Sequence, residues 1–341
     1  EHIADKGKGY GMESHIIDGN NIVEVFSKVS ELAESLRQDP RPVLLEFKTF
    51  RMRGHEEASG TKYVPKELLN QWASKDPIEN FQAYLRGNNI LTEEAEVVIK
   101  EAFSQEISKN LEDAFKENEV ISSLENELSD VYKNFDLQIV EPTKETSKIR
   151  LVDAISKGLY QCMQRYDDMV IMGQDIASYG GVFKITEGFV EAFGEERVRN
   201  TPICESSIIE AAYGLSVSGI KSVVELQFGD FISSGFNPVV NLLAKSYYRW
   251  GQAADIVLRM PCGAGVGAGP FHSQTNEAWF TKTPGLKVVY PAFPADAKGL
   301  LCASIEDPNP VLFFEHKQLY RSVYQEVPED YYTIPLGKAA L

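Results

Sequence analysis

Five short apolar runs, at residues 169–172, 222–226, 256–260, 287–290 and 311–314, narrow most what this chain can become. Between them lie helix-forming stretches long enough to carry a crossover, which strands running in the same direction require. The runs are apolar nearly throughout instead of alternating, so helices are expected on both faces of the sheet they form. The pattern predicts a parallel α/β sheet over the second half of the chain. No internal repeat or low-complexity tract competes with that reading.

The first half reads differently. Ile22, Val25, Phe26, Val29, Leu32, Ala33 and Leu36 recur at helical spacing, and Asn21 with Glu24 resembles a capping pair at the start. After Asp39-Pro40, the run Pro42-Val43-Leu44-Leu45-Glu46-Phe47 is bounded by breakers, as a buried strand is. Residues 51–66, with Gly54, Gly60 and Pro65, read as a loop. Thr92 opens a long helix whose stripe of Ile99, Phe103, Ile107, Leu111 and Phe115 is expected to pack on a neighbour. Pro142 and the polar run at 143–148 predict a linker at 133–149.

Charge and cysteine usage exclude several function classes. Fifty acidic against 34 basic residues leave a net charge of -16, which repels polyphosphate backbones and anionic lipid, so neither nucleic acid nor a membrane is an expected partner. Cys162, Cys204, Cys262 and Cys302 lie far apart with no CxxC pair, which fits buried thiols in a reducing compartment, the cytoplasm or its equivalent. There is no run of about 18 apolar residues and no signal-peptide pattern. The chain opens on Glu1-His2-Ile3 without a methionine and stops at Lys338-Ala339-Ala340-Leu341 within a helix-forming stretch, so an internal fragment is expected.

Candidate site residues each carry a plainer alternative. Asp18-Gly19-Asn20 offers oxygen ligands for a magnesium diphosphate, yet it directly precedes a helix and is better read as a turn with capping residues. The run 263–270, Gly263-Ala264-Gly265-Val266-Gly267-Ala268-Gly269-Pro270, lacks the helix and downstream acid of a dinucleotide fingerprint. It is better read as a loop that lets a ligand or backbone approach and that carries Phe271-His272-Ser273-Gln274. His55 and His272 both lie on loops after strands, where α/β proteins build sites, although a lone loop histidine is more often merely exposed. His2, His15 and His316 receive no role. Glu205 opens a helix-like stretch, where a capping carboxylate is the simpler reading.

Taken in order, the segments resemble the thiamine-diphosphate-dependent 2-oxo acid dehydrogenases, the decarboxylating first component, and most the branched-chain 2-oxoisovalerate type. Residues 1 to about 135 look like the end of an alpha subunit: Ala4-Asp5-Lys6-Gly7-Lys8-Gly9-Tyr10-Gly11, Asp18-Gly19-Asn20, the stretch from Arg51 through His55, Lys75-Asp76-Pro77-Ile78 and Ser129-Asp130-Val131-Tyr132. Residues 150–341 look like the start of a beta subunit: Gly173-Gln174-Asp175, Gly180-Gly181-Val182-Phe183, Asn200-Thr201-Pro202-Ile203-Cys204-Glu205, Gln227-Phe228-Gly229-Asp230-Phe231, His272-Ser273-Gln274 and Thr283-Pro284-Gly285-Leu286-Lys287. The two pieces follow one another as in a fused alpha and beta chain.

The resemblance implies a fold, a chemistry and a set of sites. Residues 1–60 would be the end of a diphosphate-binding domain, 61–132 its helical tail, 133–149 a linker and 150–341 a transketolase-like pyrimidine-binding domain. Thiamine diphosphate decarboxylates the 2-oxo acid, and the acyl unit passes to the lipoyl group of a partner acyltransferase. Glu205 matches the carboxyl that contacts the cofactor's aminopyrimidine, and the apolar approach Pro202-Ile203-Cys204 is expected to favour its neutral form. His272 and His55 match the acid/base and lipoyl-transfer histidines. Phe231 matches an aromatic packed on the aminopyrimidine, Gln227 and Ile203 line the same pocket, and Arg51 stands near the diphosphate. A monovalent cation, potassium, matches the turn carrying Ser304, Asp307 and Asn309. A dimer of the fused chain is the implied assembly.

Departures limit the transfer. Mammalian relatives have a phosphorylatable serine directly after the alpha-side histidine, and here that residue is Glu56, with Ser59 and Thr61 left in the loop. The family's Gly-Asp-Gly motif, which with a downstream Asn holds magnesium and diphosphate, is absent, as is the beta subunit's carboxy-terminal domain. The expectation is therefore an inactive piece of an active enzyme. The rivals are another thiamine-dependent enzyme of the transketolase class and a non-catalytic assembly piece.

Overall fold

In the computed structural model, which describes residues 2–338, the Asn21 side chain caps the helix Ile22–Gln38 by accepting the Glu24 N–H at 3.3 Å. That helix is the crossover between β1 (Glu13–Asp18) and β2 (Val43–Lys48), which pair in parallel. Asp76 accepts the N–H groups of Ile78 and Glu79 at the head of Pro77–Gly87, and Thr92 accepts the Ala95 N–H at 3.2 Å to start Glu93–Lys116. The stripe on this last helix does not pack as expected. Phe103 and Phe115 are 61% and 85% exposed, because no described residue covers that face. Glu1 and the helix-forming end expected at 339–341 lie outside the described residues.

The chain divides into two compact units between Val120 and Ile121. This differs from a boundary inside 133–149, and hydrogen bonds between side chains and backbone explain the difference. The Tyr132 hydroxyl donates to the Leu286 carbonyl at 3.1 Å, Lys133 N–H donates to Asn309 Oδ1 at 2.8 Å, and Val140 N–H donates to Thr333 Oγ1 at 3.0 Å. Polar composition alone does not separate a free linker from one strapped to a domain.

The second unit contains β3 (Thr146–Arg150), β4 (Val170–Gly173), β5 (Val198–Asn200), β6 (Ser222–Glu225), β7 (Ile256–Cys262), β8 (Lys287–Val289), β9 (Val311–His316) and β10 (Tyr324–Pro328). Six of them form the expected parallel α/β sheet, in the order β5-β4-β6-β7-β9-β8, while β3 and β10 pair antiparallel beside it. All five apolar runs are strands of that sheet. The sixth, β5, was not foreseen, because its residues Val198-Arg199-Asn200 offer a single apolar side chain.

Alternation along the strands divides the core in two. Val223, Val257 and Phe313 face the helices Leu151–Arg165 and Pro294–Glu306, whereas Val224, Leu258 and Phe314 face the other way, toward Glu205–Val217. Between the helices of the first face lies Lys298, wholly buried, whose ammonium donates to the carbonyls of Pro328, Glu329 and Asp330 at 2.7, 3.0 and 2.7 Å. Burial pulls this amine down to about 8, so it remains protonated at neutral pH. Lys298→Met is expected to cost about 3 kcal/mol, since it leaves the Pro328 and Asp330 carbonyls without a donor, while Glu329 keeps the Gln161 amide; the shift of the urea midpoint measures it.

Candidate active site

The first residue of the helix Glu205–Val217 is Glu205 itself, 8% exposed. Its Oε1 accepts the Gln174 amide at 3.2 Å, while Oε2 has no hydrogen-bond partner among the described residues. Gln174 is placed by the end of β4, where Gly173 O accepts the Thr201 N–H at 2.9 Å. A side chain at Gly173 would meet the Glu225 carbonyl at 2.5 Å, so the close approach of β4 and β6 needs glycine there. A carboxyl held by one oxygen and open at the other can accept from, or give a proton to, a ligand ring nitrogen.

The residues expected around Glu205 are only partly assembled. Gln227 donates to Asp175 Oδ2 at 3.0 Å and is half-buried. Phe231 lies in the short turn of helix Gly229–Ser233, and its ring meets the His272 imidazole edge-on, with 5.5 Å between centroids. Gly235, just beyond, packs against the Glu205 backbone. Ile203 departs from expectation. It is 85% exposed, so the Pro202-Ile203-Cys204 approach does not close over the carboxyl, because those residues lead into the helix from its outer side.

His272 rides on the loop after β7. Gly263, Gly265, Gly267 and Gly269 all adopt positive φ, and a side chain at Gly263 would strike the His316 ring at 2.5 Å. The run is thus a glycine-dependent turn sequence, as read, and it brings His272 against Phe228 at 4.8 Å and 87°. His55 and Arg51 stand on the first unit, both exposed; His55 Nδ1 is 2.8 Å from Ser59 Oγ. Asp18 and Asn20 form the expected turn, with the Asn20 N–H on Asp18 Oδ1 at 3.1 Å and the Asn20 amide on the Lys75 carbonyl at 2.8 Å.

The side chains expected to hold a monovalent cation do not fit one. Asp307 Oδ1 accepts from the Asn309 N–H and amide, Asp307 Oδ2 pairs with Lys287, and Ser304 Oγ donates to the Leu300 carbonyl at 2.7 Å. Asn309 also exchanges hydrogen bonds with the Lys133 backbone. These contacts make a clasp for the chain entering the unit. Among the described residues no group of three or more His, Cys, Asp or Glu is placed to hold a metal ion.

Sequence reading missed a buried charge cluster on the face of the sheet toward Leu151–Arg165. Arg259, with 0% exposure, donates to Glu225 on β6 and, through two parallel bonds of 2.8 Å, to Glu315 on β9; Tyr320 also donates to Glu315. Burial pushes the Glu225 carboxyl up, against the pull of Arg259. The signal was present: single charges interrupt the apolar runs at 225 and 259 and end the one at 315.

Comparisons with known proteins give two family matches and a set of named relatives. Residues 147–323, more than half of the chain, match the family model described as "Transketolase, pyrimidine binding domain", and residues 1–125 match "Dehydrogenase E1 component". The 2-oxoisovalerate dehydrogenase subunit beta of Bacillus subtilis is 45% identical over 57% of this chain and 60% of its own length. The mitochondrial 2-oxoisovalerate dehydrogenase subunit beta of Dictyostelium discoideum is 44% identical over 59% and 55%. For the pyruvate dehydrogenase E1 component subunit beta of Acholeplasma laidlawii the figures are 45%, 56% and 59%. The chain thus spans about three fifths of the length of the curated relatives it matches.

Proposed function

We propose that this chain, which belongs to the transketolase pyrimidine-binding domain family through residues 147–323, forms the aminopyrimidine half of a thiamine diphosphate site in a 2-oxo acid dehydrogenase. The observation that carries the reading is Glu205, buried at a helix head with one oxygen fixed by Gln174 and the other unengaged. That donor set fits an aminopyrimidine, which presents a ring nitrogen to a carboxyl. When bound, thiamine diphosphate supplies the nucleophilic carbon that attacks the 2-oxo group and takes up the electrons of decarboxylation. Glu205 holds and exchanges a proton at the ring nitrogen, Phe231 offers an aromatic face to the ring, and His272 exchanges a proton with the substrate side. On the first unit, the likeness to the dehydrogenase component would give His55 the part of the histidine for transfer to the lipoyl group of a partner acyltransferase and Arg51 that of a cation for the diphosphate.

The consecutive matches to a dehydrogenase component and a pyrimidine-binding domain support the reading of a fused alpha and beta arrangement; a dimer of that chain is the assembly the family likeness implies. The names of the relatives favour a branched-chain 2-oxo acid, with pyruvate second. Carbon dioxide release from a panel of 2-oxo acids, with lipoamide as acceptor, tests this on the assembled enzyme. Branched-chain acids are expected to lead; turnover of ketose phosphates without any 2-oxo acid would favour a transketolase activity. This sequence has no Gly-Asp-Gly motif to hold magnesium diphosphate. Calorimetric titration of the 341-residue chain alone is therefore expected to show no micromolar binding of thiamine diphosphate with magnesium.

A further inference from the structure

Buried polar atoms without partners gather at one place in the second unit. Eight such side-chain atoms occur among the described residues, and five of them, Asp230 Oδ2, His272 Nδ1, Asn276 Oδ1, Glu277 Oε2 and Lys317 Nζ, belong to the loop 263–277 or to its bed. Each costs about 1–3 kcal/mol when left unpaired, so such a concentration calls for a role beyond packing. Asp230 and Lys317 are the charged members of the bed, 4% and 5% exposed, and the reaction outlined above uses neither.

Both act on the element that carries His272. Asp230 Oδ1 accepts the Gln274 N–H at 3.0 Å, two residues after the histidine, and so ties the loop down. Asn276 adds a second tie through its amide on the Gly229 carbonyl at 3.0 Å. On the other side, Lys317 is fixed by its N–H on the Cys262 carbonyl, and its ammonium stands 5.3 Å from the centre of the Phe228 ring. Phe228 is the ring against which His272 packs at 4.8 Å. Asp230 and Lys317 form no direct ion pair, so neither charge is cancelled by contact. Burial pulls the Lys317 ammonium down, and Asp230, then Cys262, oppose that pull.

We propose that Asp230 and Lys317 are positioning residues for His272: Asp230 ties down the loop that carries the imidazole, Lys317 braces the Phe228 ring on which the imidazole packs, and the two bring a carboxyl and an ammonium to the surroundings of His272. This rests on the reading of His272 as the acid/base histidine. The two charges have opposite effects on imidazolium: the carboxylate favours it and the ammonium opposes it. The remaining titratable groups around this bed are Cys262, whose thiol burial pushes up to about 11, Tyr290, whose hydroxyl lies 3.0 Å from that thiol, His316, whose ring lies against Gly263, and Glu277. The thiol is neutral at working pH and adds no charge.

Nuclear magnetic resonance titration of the five histidines in the full 341-residue chain tests the proposal, with His272→Asn identifying the signal to follow. Asp230→Asn keeps an acceptor for the Gln274 N–H and is expected to move the His272 protonation midpoint down by roughly one pH unit. Lys317→Met is expected to move it up by a similar amount, and Lys317→Arg to leave it near its starting point. Opposite signs separate positioning by charge from simple loosening of the loop. Movement of both variants in one direction, or of neither, overturns the proposal. If Asp230→Asn fails to fold, the sign of the shift in Lys317→Met against Lys317→Arg decides. The readout needs no cofactor, so shifts as expected in an enzyme that releases no carbon dioxide would keep the positioning and remove the catalytic reading.

Discussion

Glu205→Gln is expected to lower 2-oxo acid decarboxylation by about three orders of magnitude in the assembled enzyme, while unfolding stability changes by less than about 1 kcal/mol. Glutamine has nearly the volume of glutamate, and its carbonyl oxygen still accepts the Gln174 amide that now rests on Oε1. The loss falls on the other position. There an amide donor replaces the unengaged Oε2, so the side chain can neither give nor take a proton at a ligand nitrogen. Turnover is read as carbon dioxide release and stability as the urea midpoint. Wild-type turnover in a folded variant would remove Glu205 from the chemistry.

Arg259→Leu is expected to be the most destabilising single change in the second unit, at about 3–5 kcal/mol. Among the described residues the guanidinium is the only cation paired with Glu225 and Glu315, and all three side chains are at most 2% exposed. Its removal leaves two carboxyls in the interior with only the Tyr320 hydroxyl to satisfy them. The pH dependence follows from Glu225. Burial raises its carboxyl above 4.5, so the folded state binds that proton more tightly than the unfolded state does. Its stabilising contribution is therefore present at low pH and is lost as pH rises above the ordinary carboxylate value. The defect in Arg259→Leu should be smallest in acid and grow toward neutrality. Replacing all three residues with apolar side chains is expected to recover much of the loss, which distinguishes unpaired charge from a packing fault. Urea unfolding from pH 4 to 7 measures both.

The sheet was legible because its strands are apolar on both faces and separated by crossover-length helices, a pattern few other architectures share. β5 escaped because three edge residues with one apolar side chain resemble any loop. The strap before β3 escaped for a related reason: its contacts run through backbone N–H groups and a few polar side chains, and composition does not record where backbone groups are satisfied. At the site, the motif order located Glu205, Phe231 and His272, and the structure sets the latter two side by side. Neither the exposure of Ile203 nor the engagement of Asp307 and Asn309 could be read in advance, since both depend on how a turn aims its side chains. Glu225, Arg259 and Glu315 were visible as charges in or at the end of apolar strands, but only strand order reveals that they are neighbours.

Glu205 as the proton-exchanging carboxyl is tested most directly by the rate at which the thiazolium carbon of bound thiamine diphosphate exchanges its proton for deuterium, measured in the assembled enzyme and in its Glu205→Gln variant. Exchange at least about a hundredfold slower in the variant, with the cofactor still bound, is the predicted result; equal rates in the two proteins would contradict it.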